Sequence, residues 1–147
     1  MNYKTLLAKE LSKNEKVKDI KEKLLSKEEG VTTAYKINFD YNGFPLAGLE
    51  VLDGAGLRFL NMRLIISYPK NKYEIEFVKD VVNNFNLSNI GLKAFYDFEG
   101  SEKEFDISYN LEDVFDENDL NPGLILDKKI NMLVRGPRDI HKELDKE

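Results

Sequence analysis

Between Asp97 and Asp119 the chain carries ten acidic residues against a single base, Lys103, in a protein whose total net charge is −5. Carboxylates at that density could chelate a hard cation, act as a general acid–base pair, or attract a basic partner. A calcium loop fails on spacing. An EF-hand opened at Asp113 needs Gly at its sixth position and Glu at its twelfth, where this chain has Asn118 and Leu124. A catalytic pair would need carboxylates such as Asp97, Glu99 or Asp106 held in a pocket, and these fall in a segment that reads as an exposed hairpin. The plainest role of the cluster is a solvated face that keeps the protein soluble. Its functional role is a surface that meets a basic partner, steered by charge and anchored by Val114 and Phe115 among the acids.

The other residue types that carry chemistry are sparse. His141 is the single histidine, next to Lys142 in a charged segment with no orienting partner beside it, so a general-base role has no support. The chain has no cysteine, which removes disulfides, thiol nucleophiles and cysteine-based zinc sites. The loop Asp53-Gly54-Ala55-Gly56 lacks the Gly-Lys-Ser/Thr of a phosphate-binding loop and is followed by strand, not helix. No Gly-x-Ser-x-Gly elbow is present. Outside 97–119 the segments are only slightly positive, so the chain has no concentrated basic face of the kind that releases counterions from nucleic acid. No cofactor and no metal site is expected.

The elements that would position this surface follow from periodicity. Residues 1–29 read as helix, with Leu7, Leu11, Val17, Ile20 and Leu24 at three- and four-residue steps among Lys and Glu. Ser12 and Glu15 have the spacing of a capping box, Asn14 is another cap, and Gly30 ends the segment. Tyr35, Ile37, Phe39 and Tyr41 then alternate with polar residues as a half-buried strand, closed by the turn Asn42-Gly43. Pro45 limits pairing in the short second strand around Leu49, Val51 and Leu52. A third strand puts Leu60, Met62, Leu64, Ile66 and Tyr68 on one face, with Arg58, Asn61, Arg63, Ser67, Phe59 and Ile65 assigned to the other. Tyr73 to Asn86 returns to helical spacing, and Leu92–Phe98 with Glu104–Leu111 reads as a hairpin with an acidic outer face. Leu124 to Val134 reads as a helix, Gly136-Pro137 as its break, and Arg138 to Glu147 as a short polar tail, helical and frayed.

The expectation is therefore an α+β fold: N-terminal helix, three-stranded antiparallel meander, helix, β-hairpin and C-terminal helix around one sheet. It forms a single domain over 1–147, with a helical segment at 1–29, a core at 30–135 and a tail at 136–147. No apolar run is long enough to cross a bilayer, and the N-terminal residues lack the apolar block of a signal peptide, so the protein is expected in the cytoplasm, bacterial or that of a phage host.

The segment from Phe77-Val78-Lys79-Asp80-Val81-Val82 through Gly91-Leu92-Lys93-Ala94-Phe95-Tyr96 to Phe105-Asp106-Ile107-Ser108-Tyr109 resembles the helix–hairpin half of the type III secretion chaperone-like fold, shared by secretion chaperones and YbjN-like bacterial proteins. The resemblance rests on element order over most of the chain. It implies a non-enzymatic protein that binds other proteins, often as a homodimer. The expected function is thus a chaperone-like adaptor or regulatory subunit whose partner is a protein with a basic surface, with no direct nucleic-acid or membrane contact. The residues expected to meet that partner are Glu102, Glu104, Asp106, Glu112, Asp113, Phe115, Asp116, Glu117 and Asp119. The alternative is a small acidic inhibitor, of phage anti-defence or immunity type, that blocks a basic surface or imitates nucleic-acid phosphates locally.

Overall fold

The alternation that begins at Tyr35 is realised as β2 (Thr32–Tyr41), which turns directly into β3 (Phe44–Asp53). Asn42 and Gly43 both take positive φ, 50° and 90°, as a two-residue hairpin turn between twisted strands requires. The structure, a computed structural model, describes residues 2–28, 32–53, 57–89, 91–114 and 122–146. Its remaining elements are α1 (Leu6–Leu11), β1 (Val17–Glu28), β4 (Arg58–Pro69), α2 (Ile75–Ser88), β5 (Leu92–Asp97), β6 (Glu104–Val114) and α3 (Pro122–Leu144). The six strands form one antiparallel sheet in the order β1-β2-β3-β4-β6-β5. Pro45 is accommodated because β4 pairs with β3 only over Ala47–Leu52, leaving the missing N–H beyond that ladder.

Of the helical segment expected over 1–29, only Leu6–Leu11 is helix among the described residues; Val17–Glu28 is instead the edge strand β1, so the meander has four strands. Two register shifts against β2 give this strand its helix-like spacing, one between Lys18 and Lys21 and one between Leu24 and Ser26. A bulge inserts an extra residue, so the core-facing positions Val17 and Ile20 stand three apart and imitate a helical step. Asp19 takes φ 56° within the first shift. The Lys and Glu that favour helix locally are overridden by the pairing with β2, and the lysines suit an exposed edge. The capping-box positions are used differently. Ser12 is the C-cap of α1, its hydroxyl donating to Lys9 O at 2.7 Å, while Thr5 is the N-cap and accepts from Ala8 N at 3.0 Å.

Gly136-Pro137 does not break α3, and residues 136–144 are not a polar tail. Leu126, Ile130, Leu133, Ile140 and Leu144 recur at steps of four, three, seven and four residues, and all are buried. The apolar stripe therefore runs past Pro137, whose cost is one missing helical donor. Gly136 lies where α3 crosses the sheet: a Cβ there would sit 2.9 Å from Tyr109 Cδ1 and 3.2 Å from Leu92 Cδ2.

All three helices lie on the same side of the sheet. Ile37, Phe39 and Tyr41 of β2, Leu60, Met62, Leu64 and Tyr68 of β4, and Phe105, Ile107, Tyr109 and Leu111 of β6 point toward them and form the core. Tyr68, Phe98 and Phe105 pack ring against ring at one end, with Tyr73 edge-on. Among the described residues no helix is long and apolar enough to cross a membrane.

Candidate functional site

No described element covers the opposite face of the sheet. Because side chains alternate, each cross-strand row shows what that face presents. One row runs Ala34, Val51, Phe59, Val114 and is apolar throughout. The next runs Lys36, Leu49, Asn61, Glu112. Phe59 and Val114 are 43% and 48% exposed, and Ile65, further along β4, is 50% exposed. Together Leu49, Val51, Phe59, Asn61, Glu112 and Val114 line a groove of about 470 Å³. A monomer rarely leaves contiguous apolar surface of this kind open without a use for it.

Polar side chains link β4 to β6 beside the groove. Asn61 Nδ2 donates to Glu112 Oε1 at 3.0 Å, Arg63 Nε to Asn110 Oδ1 at 2.9 Å, and Ser67 Oγ to Asp106 Oδ1 at 2.6 Å. These bonds hold the β6 carboxylates upright on the open face without neutralising them. On the far edge of the same face the register places Lys18, Lys21, Lys23 and Lys36. The face therefore has an acidic side, an apolar middle and a basic side.

The expected acidic surface is only partly assembled there. Glu104, Asp106 and Glu112 share the open face, and Glu102 lies exposed in the β5–β6 connection. Asp113 is one residue out of phase, so it points to the helix side and pairs with Lys129 of α3. The hydrogen bond from Lys129 holds its carboxyl below the ordinary aspartate range, against a smaller opposing effect of burial. Phe115, Asp116, Glu117 and Asp119 lie outside the described residues. Asp97 and Asp106 are direct cross-strand partners, and Asp97 Oδ1 accepts from Glu99 N at 2.9 Å. No known protein family, characterised protein or solved structure matches the chain.

Two carboxylates that spacing did not single out organise the other side of the sheet. Glu50 of β3 is 6% exposed and accepts from Leu6 N at 3.2 Å and Leu7 N at 2.8 Å, at the start of α1. Glu22 of β1 accepts from Lys4 N, Thr5 N and Thr5 Oγ1 at 2.8, 2.8 and 2.6 Å. Burial raises the Glu50 carboxyl above the ordinary glutamate range, against the Leu7 amide and the Arg58 charge. Burial also acts to raise Glu22, but the bonds from Thr5 and Lys4 outweigh it and hold that carboxyl low. Arg58, expected on the face opposite Leu60, shares the helix side with it, two residues away in β4. Its Nε is buried 3.7 Å from Glu50 Oε2, an ion pair without a hydrogen bond. Glu50 could have been found in the sequence, because it shares the buried phase of Leu46 and Gly48. Gly48 itself leaves room for α1, since a Cβ there would lie 2.5 Å from Leu7 Cδ2.

These two glutamates are occupied in holding α1, so they are structural groups. Among the described residues no three His, Asp or Glu side chains converge as a metal ion requires. His141 stacks on Tyr68 with ring centroids 6.5 Å apart, and its Nε2 stands 3.3 Å from Asp145 Oδ2.

Proposed function

We propose that the protein is a non-enzymatic, cytoplasmic protein-binding module, an adaptor or regulatory subunit, that takes its partner on the uncovered face of the sheet. One observation carries this: the apolar groove of Leu49, Val51, Phe59 and Val114 stands open beside the carboxylates of β6. A partner with a basic surface would be steered by Glu104, Asp106 and Glu112 and held by apolar contact in the groove. The likeness to secretion chaperones rests on the order helix, three strands, helix, two strands, helix, and this fold follows it with one strand more, β1, between α1 and β2. An imitation of nucleic-acid phosphates needs a continuous single-sign surface. Here Arg63 stands on the same face between Glu112 and Asp106, so the adaptor is the better supported of the two.

Quantitative pull-down from native lysate tests the proposal with two variants, Phe59→Ser in the groove and the triple reversal Glu104→Lys, Asp106→Lys, Glu112→Lys. A stoichiometric partner should be lost with the first and captured more slowly with the second, most clearly at low salt. A partner retained equally by both variants would place the interface elsewhere.

A further inference from the structure

The geometry points to a second copy of this chain as an occupant of the open face, in a face-to-face sandwich dimer. The inference rests on the reading of that face as a binding surface and names the partner. Along the sheet order the two middle strands are β3 and β4. A two-fold axis parallel to the strands and midway between them exchanges β3 with β4 and β2 with β6, and keeps each residue in its own cross-strand row.

The rows are complementary to themselves under that operation. In the row Ala34, Val51, Phe59, Val114, the two-fold sets Val51 of one protomer against Phe59 of the other, and Ala34 against Val114. In the row Lys36, Leu49, Asn61, Glu112, it sets Lys36 against Glu112 and Leu49 against Asn61. In the first row apolar meets apolar, and in the second base meets acid twice, once for each copy, with the Leu49–Asn61 contacts between them. An axis perpendicular to the strands would instead place lysine against lysine, so the charge pattern selects one orientation.

A second observation is the crowding of like charge at the basic edge. Lys23 is the direct cross-strand partner of Lys36, and neighbours of like sign oppose pairing. Neither Lys23, Lys36, Glu112 nor Asp106 forms a salt bridge among the described residues. Sheets pack about 10 Å apart, a gap that a lysine side chain spans to reach a facing carboxylate. The counter-charges on the face are engaged elsewhere. Asp40 Oδ1 accepts from Gly43 N, and the Lys93 ammonium caps α2 through Asn86 O and Asn89 O. Arg63 faces the small Ala47 of the second copy and leaves the pairing intact.

The size fits as well. At about 4.8 Å between strands and about 3.3 Å between residues, the strand positions that the two-fold sets face to face cover roughly 700 Å². A stable interface takes about 800 Å² from each partner.

The test is sedimentation equilibrium on the full chain, with wild type compared with Lys36→Glu, Glu112→Lys and the two together. Wild type should be a dimer at about 100 µM, and each single reversal should weaken its dissociation constant by at least about tenfold. The double variant restores opposite charges across the two-fold and should recover the dimer, as should an equimolar mixture of the two single variants. A monomeric wild type overturns the inference, and so does a double variant no better than the singles when circular dichroism shows both folded. Failure here is separable from failure of the binding module. If wild type is monomeric but Phe59→Ser still loses a foreign partner, the second copy is refuted and the module stands. A dimer that captures no other protein gives the reverse.

Discussion

Replacing Glu50 by alanine removes the carboxylate that accepts from two buried backbone donors, Leu6 N and Leu7 N. A buried donor left without a partner costs about 1–3 kcal/mol, so the two together expose the fold to about 2–6 kcal/mol. Arg58 also loses its counter-charge, while the desolvation that raises the Glu50 carboxyl is relieved. A net loss of about 3 kcal/mol follows, equal to a fall in Tm of about 10 °C for a chain of this size. Glu50→Gln keeps one acceptor oxygen and should cost only about 1 kcal/mol. Urea unfolding monitored by circular dichroism, with thermal melts alongside, measures both. The pH dependence carries its own sign. Burial raises this carboxyl above its unfolded value, so its contribution is full below the unfolded pKa and is lost as pH rises through the folded one. The gap between wild type and Glu50→Gln should therefore narrow from acid to neutral pH. A Glu50→Ala protein that melts within about 1 °C of wild type would refute the reasoning, by showing that water can reach the α1 amides.

Glu22 behaves in the opposite sense. Its folded pKa is held low, so its stabilisation is present above the unfolded value and is lost as pH falls through the folded one, and Glu22→Gln should flatten the acid limb of the stability profile below about pH 4.3. Ile140→Ala should cost about 3 kcal/mol in urea unfolding, because the side chain is 1% exposed in the core, whereas a solvated tail would make the change neutral. Phe59→Ser should leave stability within about 1 kcal/mol of wild type while abolishing capture of a partner, and a matching loss of both would make Phe59 a structural residue.

Much of the sheet was legible because its alternation is clean. The even positions of β4 from Leu60 to Tyr68 and the odd positions of β6 from Phe105 to Leu111 face the helices as their patterns demand. The turn at Asn42-Gly43 and α2 were equally plain. What failed was whatever depended on partners far away in sequence. A bulge in β1 is invisible until β2 is set beside it, and its lysines argue for helix when read alone. The continuation of α3 past Pro137 depends on core contacts of Ile140 and Leu144 that outweigh one lost hydrogen bond. The acidic stretch was visible as composition, but composition carries no phase, so Asp113 was grouped with Glu112 although adjacent strand residues face opposite ways. The apolar groove was not legible because Leu49 and Val51 mark only a short strand and Phe59 only the mixed second face of the next, and neither pattern shows that these positions stand side by side in one sheet.

The anchoring of α1 has a consequence for the order in which the protein folds. Six residues are too few to hold a helix in water by themselves. The acceptors that receive its first amides come from β1 and β3, Glu50 lying 43 residues beyond Leu7. Although α1 precedes the sheet in the chain, it has no stable form until β1, β2 and β3 have met, and it docks onto Gly48 as a late step. Before that moment Leu7 and Leu11 are exposed apolar side chains on a nascent chain, and the time taken to close the meander sets how long they remain so.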